Sequence, residues 1–201
     1  MKIAVIGGTG MVGSRTVAEA SDRGHEVDSY SRSGKNPGSA RAAYALDTAD
    51  TAATVEVIDQ HDVTVIATVN GRTGDYAQDI ENHRALIAAR PQGRFVVVGG
   101  AGALSADENT MLKDTEAFPA EYKKEADAFA LVFRDYVDSE GLNWSMLAPA
   151  PVIAPGERTG TYKEALDVPA GDSISAEDFA VALVDEAENA RHTGERFTVA
   201  N

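Results

Sequence analysis

Short β-branched runs alternate with longer stretches of helical period along the 201-residue chain. Lys2–Ile6, Glu26–Ser31, Ala43–Leu46, Val63–Val69, Arg94–Val98 and Trp144–Leu147 predict six strands. Between them, Met11–Arg23, Asp50–Gln60, Tyr76–Ala89 and Tyr122–Ser139 read as helices. Gly24 suits the left-handed position past the first helix, and Pro91 stops the third. Beyond the sixth strand the pattern changes. Pro149, Pro151 and Pro155 punctuate a loop, and Thr161–Val168 reads as extended. Ser175 to Asp178 has the form of a capping box, with Ser175 as N-cap and Asp at the third helical position. That helix runs to about Asn189, and Arg196–Val199 predicts a closing strand. Parallel strands need crossover connections, so this alternation predicts an α/β fold: a doubly wound, mostly parallel sheet with helices on both faces. No repeat or low-complexity linker divides the chain, and its length suits one domain over residues 1–201.

Ligands of such sheets bind at the carboxyl ends of the strands, where strand order reverses. The loops there hold the candidate chemistry. After the first strand, Gly7-Gly8-Thr9-Gly10-Met11-Val12-Gly13 satisfies both GxxGxxG and GxGxxG. Glycines at these places let backbone N–H groups and a helix N-terminus approach a pyrophosphate, where a Cβ would intrude. About 20 residues beyond the last glycine, such sites carry an acid for a free ribose or an arginine for a 2′-phosphate. Arg32 occupies that place, between Ser31 and Ser33. A guanidinium matches phosphate geometry, which points to NADP(H); otherwise Arg32 is a solvated loop residue. Asp28, the nearby acid, falls inside the strand. Asp47, after the third strand, suits either the adenine amino group or the cap of the next helix. Thr68-Val69-Asn70-Gly71 follows the fourth strand beside the expected ribose, with Arg72 as a further positive charge.

Composition narrows the classes. The net charge of −14 repels phosphate backbones and anionic lipid, so neither nucleic acid nor a membrane is an expected partner. There is no cysteine, and the four histidines are scattered without HxxxH or HExxH spacing, so no metal site is expected. The longest apolar run, Phe95–Leu104, is half a bilayer span, and Ile3–Ile6 is too short for a signal peptide. A cytoplasmic location is expected.

The Gly7–Gly13 stretch, with Thr9-Gly10 at its centre, resembles the TGxxGxxG of extended and atypical short-chain dehydrogenase/reductases. Further motifs are Val97-Val98-Gly99-Gly100-Ala101-Gly102-Ala103-Leu104, Phe118-Pro119-Ala120-Glu121-Tyr122, Asn143-Trp144, Pro155-Gly156-Glu157-Arg158-Thr159-Gly160, Ile174-Ser175-Ala176-Glu177-Asp178 and Arg196-Phe197-Thr198-Val199. In order along the whole chain, these resemble the bacterial proteins provisionally described as NADH-flavin reductases, in the NAD(P)-binding, NmrA-like branch. The resemblance implies a Rossmann domain whose segment from about 149 to 201 covers the nicotinamide end. It also implies that Gly7, Thr9, Gly10, Met11, Val12, Arg32, Thr68, Val69, Gly99, Gly100 and Pro149 line the cofactor.

The sequence departs from the wider superfamily at its catalytic residues. Catalytic members carry a serine just after the fifth strand and a YxxxK on the next helix. Here Gly99-Gly100-Ala101 follows the strand, the first serine is Ser105, and Tyr122 is followed at i+4 by Ala126. Lys123 and Lys124 lie off that face. A tyrosine without the lysine, near pKa 10, is a poor acid at neutral pH. Flavin reduction needs mainly two stacked rings, because the cofactors carry the chemistry. Pro149–Val152 and Gly99–Leu104 suit such a pocket, with Tyr122 as the candidate catalytic residue and Trp144 either nearby or in the core. The expected activity is NAD(P)H-dependent reduction of a small-molecule electron acceptor, with flavin as substrate and not as prosthetic group. The alternatives are a non-catalytic NADP(H)-binding redox sensor and a quinone or carbonyl reductase or epimerase. Monomer and homodimer are both compatible with this reading.

Overall fold

The structure, a computed structural model, describes residues 1–70 and 76–201. Its first half contains β1 (Lys2–Ile6), α1 (Met11–Asp22), β2 (Glu26–Ser31), β3 (Ala42–Ala45), α2 (Thr51–Asp59), β4 (Val63–Ile66) and α3 (Tyr76–Ala89). Then follow β5 (Phe95–Val98), α4 (Lys123–Val137), β6 (Trp144–Pro149), β7 (Val152–Ala154), β8 (Lys163–Leu166), β9 (Ser173–Ser175), α5 (Ala176–Asn189) and β10 (Arg196–Ala200).

One eight-stranded sheet runs β3-β2-β1-β4-β5-β6-β10-β8. Every pairing in it is parallel except β10 with β8. Strand order reverses between β1 and β4, which makes their carboxyl ends the crevice of a Rossmann fold. Alternation along the strands feeds two cores. Ile3, Val5, Val65, Val96 and Leu147 face α1 and α5, packing with Val17, Phe179 and Leu183. Ala4, Ile6, Phe95, Val97 and Met146 face α2, α3 and α4, packing with Ile58, Leu86 and Val132. Full burial of each large aliphatic or aromatic side chain stabilises the fold by roughly 1.5–3 kcal/mol.

Several boundaries differ from the sequence reading, each for a tertiary reason. The fourth strand stops at Ile66 instead of Val69, because the chain turns out to pass the glycine loop of β1. Ala42 pairs with Asp28, so β3 begins one residue early. Arg94 precedes β5 instead of starting it. Tyr122 and Ser139 lie outside α4, with Tyr122 closing a 3-10 turn at Ala120–Tyr122. Pro149 belongs to β6 because Val199 of β10 pairs with it. The supposed loop after it contains β7, which pairs in parallel with β9 as a two-stranded ribbon. Within the extended Thr161–Val168 segment, only Lys163–Leu166 pairs as a strand. The capping box is half formed. Ser175 Oγ accepts the Asp178 N–H at 3.0 Å, but the Ser175 N–H goes to Asn201 Oδ1.

Candidate functional site

The glycine turn assigns a different task to each glycine. Gly7 reverses the chain at φ +89°, and a Cβ there would lie 2.3 Å from the Ala67 carbonyl oxygen. The N–H groups of Gly7 and Gly8 both donate to the Tyr30 carbonyl, at 2.8 and 3.1 Å, and Gly10 donates to Gly7. A Cβ on Gly13 would meet the Gly7 carbonyl oxygen at 2.2 Å, so this glycine lets α1 sit against the strand. Gly10 differs: within 4 Å, its Cβ would meet one atom, the Gly7 carbonyl oxygen at 3.3 Å. It is the N-cap of α1, no side chain caps the helix, and no acid occupies the first turn. The N–H groups of that turn and the positive end of the helix dipole therefore face the crevice. Thr9 and Gly10 are exposed and Met11 and Val12 half-buried. The cradle has the shape and charge of a pyrophosphate site.

Among the described residues, the cation at the end of β2 has no competing partner. Arg32 is exposed and forms no ion pair among the described residues. Arg23, Arg41 and Arg158 are each held by carboxylates. Ser31 Oγ and Ser33 Oγ flank it, 3.4 Å apart. Asp28 is committed elsewhere: Arg41 Nε and Nη2 reach its oxygens at 3.1 and 2.5 Å, and His61 Nε2 lies at 3.3 Å. Burial alone would raise the Asp28 carboxyl, but the Arg41 and His61 bonds outweigh it and hold the group below its ordinary value. Asp47 accepts the Ala49 N–H at 3.0 Å, and the cap of α2 falls to Asp50, which accepts from Ala53. Asp47 remains exposed beyond β3.

On the other side of β1, Thr68 and Val69 are half-buried. The Thr68 methyl carbon would lie 3.1 Å from a Cβ on Gly7, so loop and glycine turn abut. Asn70 is held by Asp79, a residue the sequence pattern did not single out. Gly71 and Arg72 lie outside the described residues. Gly99 donates to the Leu147 carbonyl at 2.9 Å, and a Cβ on it would crowd the Met146 side chain at 3.0 Å. Gly100 and Pro149 stand at the ends of the neighbouring strands, so the sequence-predicted cofactor residues that the structure describes lie along the carboxyl ends of the strands.

The catalytic side of the site is sparse. Tyr122 is 58% exposed at the head of α4. Ala126 is 5% exposed, and a Cβ on Gly102 would lie 2.5 Å from its own Cβ. The face that holds a lysine in YxxxK proteins is thus packed against the loop after β5. Lys123 Nζ turns to the Lys113 carbonyl at 2.7 Å and Asp114 at 2.8 Å. Ser105 Oγ donates to Asp167, which also binds the buried Arg196, so this serine is structural. Trp144 is 4% exposed against Tyr136 and belongs to the core. His83 is buried beside the Tyr136 hydroxyl, and burial lowers its pKa to about 4. Among the described residues, no three His, Asp or Glu side chains converge as for a metal ion. No described helix is long and apolar enough to cross a membrane.

The Pro155–Gly160 loop fastens to the two helices of one face. Arg158 donates to both Glu19 oxygens, at 2.6 and 2.8 Å. These bonds lower the Glu19 carboxyl against the opposing effect of burial, with help from Arg23. Glu177 bridges Arg15 of α1, at 2.6 Å, and the Gly156 N–H, at 2.7 Å. Asp178, fully buried, accepts from Thr159 Oγ1, the Gly160 N–H and Asn201 Nδ2.

A family model described as NAD(P)H-binding matches residues 7–190. The Bacillus subtilis protein YwnB, whose name describes it as uncharacterised, is 38% identical over 210 aligned positions, covering 99% of this chain and 98% of that one. A Burkholderia pseudomallei crystal structure, provisionally named an exported protein, is 35% identical with a TM-score of 0.89 and covers 100% of both chains. A Streptococcus pneumoniae structure, provisionally named an NADH-flavin reductase, is 33% identical with a TM-score of 0.87, over 100% of this chain and 99% of that one. With the glycine cradle at residues 7–13 and a family match across nearly its whole length, the chain belongs to the NAD(P)H-binding family of Rossmann-fold proteins.

Proposed function

We propose that the protein is an NADPH-dependent reductase that passes hydride to a free flavin or a similar flat acceptor. The observation that carries this reading is a complete dinucleotide cradle beside a catalytic face where Ala126 is packed and no lysine assists Tyr122. When bound, NADPH supplies the hydride. The chain's part is to hold the phosphates with the first turn of α1, to bind the 2′-phosphate with Arg32, and to leave the ends of β5 and β6 open for a second ring. Stacking at about 3–3.5 Å is enough for hydride transfer and needs no protein acid. The provisional name of the Streptococcus pneumoniae structure agrees with this choice of acceptor. A cytoplasmic location and a monomeric or homodimeric state belong to the same proposal.

Anaerobic NADPH oxidation with free FMN tests it directly. Arg32→Ala is expected to weaken NADPH binding about 10–150-fold, the loss of roughly 1.5–3 kcal/mol from a charge-assisted bond. NADH binding should barely change. Equal losses for both cofactors would make Arg32 a structural residue and remove the NADP preference.

Tyr122→Phe keeps the ring and deletes the hydroxyl, so single-turnover flavin reduction should stay within about tenfold of wild type. A loss of a hundredfold or more would return Tyr122 to acid catalysis and favour carbonyl reduction or epimerisation. The packed Ala126 equally fits a non-catalytic NADP(H) sensor. Tight NADPH binding without turnover of any flavin or quinone would select that second reading.

A further inference from the structure

The first turns of α3 reach three regions that border the crevice. Tyr76 donates its hydroxyl to Glu125 near the start of α4 at 3.0 Å. Asn82 Nδ2 donates to Thr48 Oγ1, beyond β3, at 3.0 Å. Between them, Asp79 accepts three hydrogen bonds from Asn70, beyond β4. The Asn70 N–H spans both carboxylate oxygens at 2.8 and 3.0 Å, and Asn70 Nδ2 adds a third bond at 3.0 Å. Asp79 is only 3% exposed. A carboxylate so buried is tolerated only where donors surround it, so its bonds to Asn70 hold that stretch of backbone firmly. Together with Thr68, Asp79 also borders a narrow cavity under the end of β4.

We infer that Asp79 is a positioning residue for the nicotinamide half of the dinucleotide. Through Asn70 it fixes the backbone of Thr68, Val69 and Asn70, the wall of the crevice on the β4 side. This rests on the dinucleotide reading of the glycine cradle. Sheet order supplies the sidedness: β2 with Arg32 stands on one side of β1, and β4 and β5 stand on the other. An adenosine 2′-phosphate at Arg32 and a pyrophosphate at α1 leave the β4 and β5 ends for the other half of the ligand. Asp79 has no place in 2′-phosphate recognition, so its effect is common to NADPH and NADH.

The test is calorimetric titration of the full chain with NADPH, NADH and adenosine 2′,5′-bisphosphate, which carries the adenosine half alone. Asp79→Ala should raise the Kd for NADPH and for NADH by about tenfold or more and leave that for the bisphosphate within about twofold. Asn70→Ala should act in the same direction, and the double variant should be no worse than Asp79→Ala. A folded Asp79→Ala that binds NADPH normally, or that loses the bisphosphate to the same degree, overturns the inference. If Asp79→Ala does not fold, Asn70→Pro, which removes both the backbone N–H and Nδ2 that Asp79 holds, carries the test, and unchanged NADPH affinity there overturns the inference equally. A wild-type chain that binds none of the three ligands refutes instead the dinucleotide reading underneath.

Discussion

Gly10→Val is expected to abolish NADPH binding while leaving the protein folded. Gly10 has extended φ and ψ, which any residue adopts, and a Cβ there would meet one atom, at 3.3 Å, among its described neighbours. The new side chain therefore points into the space where the pyrophosphate must approach the first turn of α1. Gly13→Ala supplies the contrast. Its methyl would lie 2.2 Å from the backbone oxygen of Gly7, so helix and strand must separate. That change should destabilise the fold by about 1–3 kcal/mol. Thermal melts and NADPH titrations of the two variants distinguish them: binding lost at normal stability for Gly10→Val, stability lost first for Gly13→Ala. Tight NADPH binding by folded Gly10→Val would place the phosphate cradle elsewhere.

Asp178→Ala should cost about 2–4 kcal/mol of stability, because three donors lose a buried acceptor at once. Those donors are Thr159 Oγ1 at 2.6 Å, Asn201 Nδ2 at 2.7 Å and the Gly160 N–H at 2.8 Å. For a chain of this size the melting temperature should fall by roughly 5–15 °C. Acid should narrow the difference. Burial would raise the Asp178 carboxyl, but the Thr159, Gly160 and Asn201 bonds prevail and set it below its ordinary value. A group depressed in the folded state contributes fully above its unfolded pKa, near 4, and its contribution is lost as pH falls through the folded value. Wild type and variant should converge on acidification. Denaturation curves from neutral pH to about pH 3 check this, and a constant gap across that range would show that the charge on Asp178 is irrelevant.

The sheet and the cradle were legible in the sequence because both are local. Strands buried on two faces read as β-branched runs, and Gly10 and Gly13 both abut the Gly7 carbonyl within the same turn. The place of Arg32 at the end of β2 was legible for the same reason, since its distance from the glycines follows from one helix, one turn and one strand. What escaped depends on partners distant in sequence. The strand at Val152–Ala154 exists only because Ser173–Ser175 lies beside it. Asp178 reads as half of a capping box, yet its carboxylate serves Thr159, Gly160 and Asn201. Asp79 looks like an ordinary acid near a helix start, and nothing in its neighbourhood signals that Asn70 will depend on it. Trp144, placed by sequence either in the core or near the pocket, was settled by the aromatic packing around Tyr136.

The clasp on α1 also bears on the order of assembly. The phosphate-binding helix is tied by Arg15 to Glu177, by Glu19 to Arg158 and by Arg23 to Asp185, across 139 to 162 residues of sequence. Contacts of such separation are the slow ones to form, since loop-closure entropy is spent before they give any return. A growing or refolding chain can lay down β1, the glycine turn and β2 early, but α1 reaches its final seat only when α5 and the loop before it arrive. Affinity for the nucleotide is therefore acquired late in folding, by the last third of the chain acting on the first.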